Sequence, residues 1–176
     1  MSSILKVDTI QTAAGGTPTA ADLGLNVSGN MLAVYTAKGV NTELSVSSDT
    51  PTATGVYIDV TPSSTSSKFW VMATAPIHVN TDNNQNGGAI SVRADNADIS
   101  VHGGIRWTEY ANIPGWTTST ITVQGIHAPS TTSSVRYEIY LSHMSGTGGT
   151  TGYFAPNHFD NPTASRPTLT VIEIAG

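Results

Sequence analysis

The chain has 176 residues, 11% charged and 38% hydrophobic, with a net charge of −5 and no cysteine. That length suits one domain, or one domain with a tail. The composition excludes disulfides, thiolate chemistry and Cys-based metal sites, and 7 Lys and Arg scattered along an acidic chain exclude the clustered basic field that nucleic-acid binding needs.

The first thirty residues, MSSILKVDTIQTAAGGTPTAADLGLNVSGN, hold Ile4, Leu5, Val7 and Ile10, a Gly/Thr/Pro/Ala stretch, then Leu23, Leu25 and Val27. Lys6 is followed by no apolar h-region, so no signal peptide is expected. Thr19 to Leu23 is the best short helix candidate, with Thr19 able to cap a turn or two after Pro18. Ordering backbone costs about 1–2 kcal/mol per residue, and so few apolar groups cannot offset that alone. Residues 1–30 must therefore be disordered or be ordered by neighbouring subunits; their regularly spaced Ile, Leu and Val favour the second, an extended attachment segment ahead of a β domain over 31–176.

In that domain no window shows the i, i+3, i+4, i+7 spacing of an amphipathic helix. Strands are expected at Met31–Val40, Gly55–Thr61, Lys68–Val79, Ala89–Ala94, Ile99–Trp107, Ser119–His127, Val135–His143 and Thr168–Ile174. In the seventh, Val135, Tyr137, Ile139 and Leu141 should face a core, opposite Arg136, Glu138, Tyr140 and Ser142. The last is apolar on both faces, as expected of a strand central to a sandwich or an oligomer. Loops rich in Ser, Thr, Asn and Gly fall at 47–54, 63–67, 81–88, 128–134 and 145–152, and Ser and Thr make up about a quarter of the chain. No apolar run approaches the length of a membrane span, so no membrane insertion is expected. The pattern predicts an all-β sandwich or jelly roll of about eight strands.

KVDTIQT (Lys6 to Thr12), the Gly15-Gly16 pair and TAADLG (Thr19 to Gly24) resemble the N-terminus of tail-fibre-like virion proteins of marine bacteriophages. TLTVIEIAG (Thr168 to Gly176) is similar to the terminal strand of such proteins, and the stretch between matches in style only. The resemblance implies a homotrimeric structural component of a phage particle, synthesised in the host cytoplasm. Its N-terminal segment, through Ile4, Leu5, Val7, Ile10, Leu23, Leu25 and Val27, would dock other virion proteins, and its β knob would project for host attachment. The β domain also resembles trimeric tumour-necrosis-factor-like knobs, which end on an apolar strand near the threefold axis, a place Val171 to Ile174 fits. A capsid decoration or head-fibre protein would use the same architecture.

Candidate chemistry is sparse. His78, His102, His127, His143 and His158 show no HxH or HExxH spacing and read as histidines hydrogen-bonded at a sheet rim. Asp82, Asn84 and Asn86 match the start of a calcium loop, but Arg93 stands where a bidentate Glu belongs, and Asn/Gly-rich hairpin loops arise for conformational reasons alone. Trp107, Tyr110 and Trp116 could stack on a host surface glycan in a lectin-like module; as core or interface anchors they would serve packing instead. Neither a G-x-S-x-G elbow nor a P-loop occurs. Asp59, Glu109, Glu138, Asp160 and Glu173 form no paired motif, so neither enzymatic activity nor a cofactor is expected.

Overall fold

Alternating apolar residues separated by turn-forming ones fold here entirely into strands. The computed structural model describes residues 28–39, 44–81, 86–107, 115–144, 152–154 and 166–176. They form β1 (Met31–Lys38), β2 (Leu44–Val46), β3 (Thr52–Val60), β4 (Lys68–Thr81), β5 (Asn86–Ala94), β6 (Ala97–Trp107), β7 (Gly115–His127), β8 (Val135–Met144), β9 (Gly152–Phe154) and β10 (Thr168–Ile174). The strands pair antiparallel in a nested order: β5 with β6, β4 with β7, β3 with β8 and β1 with β10. Nested pairing of this kind is the jelly roll, and two sheets result.

The first sheet is organised by β4. Strand β7 lies along one edge of it; β10 takes the first half of the other edge and the short β9 the second half. Strand β1 lies outside β10, and β2 outside β9. The second sheet runs β3, β8, β5, β6. Their facing sides interdigitate through Phe69, Val71, Ile77, Leu169 and Val171 from the first sheet and Ile90, Val92, Tyr137, Ile139 and Leu141 from the second, all fully buried. The inward set expected for β8 is thus the one observed. Strand β10 also lies inside its sheet, between β1 and β4, with its second apolar face half-buried on the outside.

Several strands extend beyond their sequence signal because partners recruit flanking backbone. Asn86–Gly88, expected as loop, open β5: all three pair with β6, and Gly87 and Gly88 also pair with β8. Strand β7 begins at Gly115 rather than Ser119, because β4 runs on to Thr81 and offers it a partner. Strand β3 starts at Thr52, ahead of an irregularity at which Gly55 takes φ +76°, a value glycine adopts without strain. Strands β2 and β9 have three residues each, too few to show alternation. Asp95 and Asn96 close the β5–β6 hairpin with φ of 47° and 67°, the left-handed pair that a two-residue type I′ turn demands.

The attachment residues Ile4, Leu5, Val7, Ile10, Leu23, Leu25 and Val27, and the Thr19–Leu23 helix candidate, lie outside the described residues, as does Val40. The described chain enters β1 already tied to the end of β10. Gly29 N donates to Ala175 O, and Ala175 N donates to Asn30 O, both at 2.8 Å.

At the β6/β7 side the two sheets approach so closely that only glycine fits. A Cβ on Gly125 would stand 2.6 Å from Val101 Cγ2, and one on Gly103 2.8 Å from Val123 Cγ1. Gly125→Ala should therefore destabilise the fold by about 1–3 kcal/mol through overpacking. A thermal melt checks this, and Val101→Ala in the same chain should recover part of the loss by vacating the contact.

Candidate functional site

The outward faces of the two sheets differ in kind. On the β3–β8–β5–β6 sheet, polar groups are engaged with one another. Arg136 Nε and Nη2 donate to Asp59 Oδ1 and Oδ2 at 2.8 and 3.0 Å, and the guanidinium lies 3.9 Å from the Tyr57 ring centroid. That bidentate bond holds the Asp59 carboxyl below the usual carboxylate range and raises the Arg136 pKa. Arg93 sits 5.3 Å from the Tyr140 ring centroid and donates to Asn96 O at 3.0 Å, while the Tyr140 hydroxyl donates to Asn96 Oδ1. Glu138 Oε1 accepts from Gly55 N at 3.0 Å.

The outward face of β1, β10, β4 and β7 is apolar at one end and hydroxylated at the other. Strand register aligns Val34, Ile172, Trp70 and Ile126 in one row across all four strands. Val34, Trp70 and Ile126 remain 55%, 39% and 58% exposed, and Met31, beside this row opposite Ile174, is 62% exposed. The next row is Thr36, Thr170, Met72 and Gln124. The one after is Lys38, Thr168, Thr74 and Thr122, in which the two last hydroxyls are hydrogen-bonded at 2.9 Å. Exposed cations of this face, Lys38 and Lys68, stand at its margins, and Glu173, an acid of the same sheet, points inward. An exposed apolar row on an otherwise hydroxyl-covered sheet is a feature of surfaces that bind something, whether a protein, a membrane or a ligand.

Residue chemistry at β4 and β10 explains why this row exists. In Phe69–Met72 (FWVM) both alternating sets are apolar, so whichever set packs the core leaves the other outside. Phe69 and Val71 go inward, and Trp70 and Met72 go outward. Strand β10 repeats this with Leu169 and Val171 inward, Ile172 and Ile174 outward.

The residues singled out by sequence fall elsewhere. His78 is buried on the outward side of β4, with Nδ1 2.7 Å from Thr118 Oγ1; His102 is exposed on β6. His127 is half-buried with Nδ1 2.8 Å from the Tyr137 hydroxyl, and burial lowers its pKa against a weaker opposing pull from Asp95. His143 is buried, with Nδ1 3.7 Å from Asp49 Oδ1. Among the described residues no group of three His, Asp or Glu could hold a metal ion. Trp107 ends β6 opposite Asn86, and Trp116 stands second in β7 opposite Asn80. Tyr110, Asp82, Asn84, His158, Glu109 and Asp160 lie outside the described residues. The carboxylates of Asp59, Glu138 and Glu173 are each held by structural donors.

The nested pairs and two unlike outer faces define a jelly-roll domain with an apolar row at one end of one outer face. No protein-family model matches the chain, and no curated protein sequence matches it. Among solved structures it is similar to Eiger, a TNF from S. frugiperda, with a TM-score of 0.41 and 13% identity over 82% of this chain and 94% of that one. It is also similar to a chain of the T13 particle of IBDV, with a TM-score of 0.39 and 8% identity over 98% of this chain and 40% of that one. A chain of infectious bursal disease virus strain Gt gives a TM-score of 0.34 and 12% identity over 82% of this chain and 36% of that one. The chain thus spans less than half the length of those viral chains. The jelly-roll assignment rests on the strand pairing itself.

Proposed function

We propose that the chain is a non-enzymatic structural protein of a virion, a homotrimer whose subunits meet on the outward face of β1, β10, β4 and β7. The observation that carries this reading is the Val34–Ile172–Trp70–Ile126 row, which leaves large apolar side chains exposed on a single chain. Burial of apolar area at about 25 cal/mol per Å² gives such a row a reason to be covered. The opposite face carries its charged groups in contacts within the subunit, Arg136 with Asp59 and Arg93 with Tyr140, and suits solvent.

The threefold order and the place in the particle come from the resemblance of Lys6–Thr12 and Thr19–Gly24 to tail-fibre-like phage proteins. In this reading the N-terminal segment anchors a short tail fibre to other virion proteins, and the jelly roll projects toward the host. The full chain in solution should have three times the 18.3 kDa mass of one chain by native mass spectrometry; a stable monomer overturns the proposal. Because Gly29 and Asn30 bond to Ala175, a truncation that spares the fold ends before Ser28. Removing residues 1–27 should leave a folded domain that fails to enter particles, and normal incorporation would refute the anchoring role. Cryo-electron microscopy of the particle reads whether the address is tail or capsid.

A further inference from the structure

At the end of the sandwich where β7 runs out past Ile126, the β5–β6 turn and the β7–β8 loop border an open cavity of about 500 Å³. Asp95, Asp98, Ile99 and Ser100 line it from the β5–β6 side, and His127 and Pro129 from the β7–β8 side. The volume falls within the roughly 300–1,000 Å³ usual for small-molecule sites.

The polar groups are already oriented. Asp95 Oδ1 accepts from Arg136 N at 2.9 Å, and Asp98 Oδ1 accepts from Ser100 N at 2.7 Å, which leaves each carboxylate a second oxygen. Behind the wall, Tyr137 is fully buried, and burial, aided by the Asp95 charge, raises its pKa, so its hydroxyl keeps its proton. Burial likewise keeps the His127 ring neutral. Among the described residues His127 is the Tyr137 hydroxyl's hydrogen-bond partner, so that hydroxyl donates to Nδ1, as a buried hydroxyl must find an acceptor. The ring N–H then sits on Nε2, on the edge of the imidazole turned from Tyr137. Ser100 and Ser130, which flank or line the cavity, hold φ of 60° and 54°, left-handed values that no two-residue hairpin imposes on them.

We infer that this cavity is a binding site for a neutral sugar ring. Sugar hydroxyls donate to the free oxygens of Asp95 and Asp98, charge-assisted bonds stronger than neutral ones. A ring or hydroxyl oxygen accepts from His127 Nε2, and the apolar C–H face rests on Ile99 and Pro129. No Lys or Arg lines the cavity, so an anionic sugar meets two carboxylates without compensation. The site does not rest on the virion reading, and a monomeric protein would retain it.

Saturation-transfer NMR on the full chain, with the methyl glycosides of glucose, galactose and mannose as probes, tests the assignment. At least one glycoside should receive saturation. Ala128→Trp, at an exposed lining position, should abolish the transfer by filling the cavity. Asp98→Asn, which retains the acceptor for Ser100 N, should weaken binding at least tenfold. N-acetylneuraminate should receive none. Absence of transfer to all three glycosides, or transfer unchanged in Ala128→Trp, overturns the site. Binding of spermidine in place of the glycosides overturns it in favour of an ammonium ligand. Matching melts of each variant and the parent show that the fold is intact.

Discussion

If the subunits assemble on the outward face of β1, β10, β4 and β7 as proposed, Trp70→Asp is expected to leave monomers without unfolding the subunit. Trp70 stands inside the apolar row rather than at its end, with Ile172 and Ile126 as its cross-strand neighbours, and the residue is 39% exposed in the single chain. Trp is the residue type most enriched among contacts that dominate interfaces, where truncation commonly costs about 2–4 kcal/mol. A carboxylate placed there adds its own desolvation when the face is covered. A combined loss of about 3 kcal/mol per contact corresponds to roughly a 100-fold weaker dissociation constant. In the separated subunit the same Asp faces water, so the melt of the monomer should move little. Analytical ultracentrifugation at several concentrations reads the result. Ala53→Asp, an exposed position on β3 in the other sheet, is the control and should leave the mass unchanged. If Trp70→Asp sediments as the parent does, the subunits meet elsewhere.

This prediction uses a feature only partly legible in the sequence. That β4 and β10 are apolar on both faces can be read from FWVM and TLTVIEI, and for β10 it correctly signals a strand inside its sheet. What cannot be read is that Val34, Trp70, Ile126 and Ile172 share one row, because that depends on the registers of three separate strand pairings. A shift by one residue in any of them would send the side chain to the core face. The strands themselves were legible wherever four or more residues alternate, as in β8. They were invisible where pairing alone makes the strand, as in Asn86–Gly88, Leu44–Val46 and Gly152–Phe154. The cavity shows a third limit. Asp95, Asp98 and His127 are ordinary residues in sequence, and they converge only because nested pairing brings the β5–β6 turn to the β7–β8 loop. The positions chosen for aromatic content, Trp107 and Trp116, belong to different sheets.

Glu173→Ala is expected to be the most destabilising change among the titratable residues, and to alter the acid side of the stability profile. Glu173 is the one position of β10 where an acid takes a core-facing place, and it is only 3% exposed. Burial alone would raise its pKa. The Ser63 hydroxyl at 2.6 Å, the Ser63 amide at 2.7 Å and the Ser67 hydroxyl at 2.7 Å all donate to Oε1 and outweigh burial, so the carboxyl ionises below its usual range. These bonds fasten the β3–β4 turn to the C-terminal strand, across which Gly176 also packs on the Ser66 carbonyl. Removing the acceptor strands three donors, at about 1–3 kcal/mol for each that water cannot reach. A net loss of about 3 kcal/mol lowers Tm by roughly 6–12 °C for a domain of this size. Glu173→Gln keeps the shape and one acceptor but not the charge, and should lose roughly half as much. Because the folded pKa lies below the unfolded one, the charge stabilises fully above the ordinary glutamate value of about 4.3. That contribution fades as pH falls through the lowered folded value. Melts of the parent and of Glu173→Gln should therefore differ most near neutrality and converge in acid, while Glu173→Ala stays below both. Parallel curves for the parent and Glu173→Gln across that range would mean that Glu173 acts by shape and not by charge.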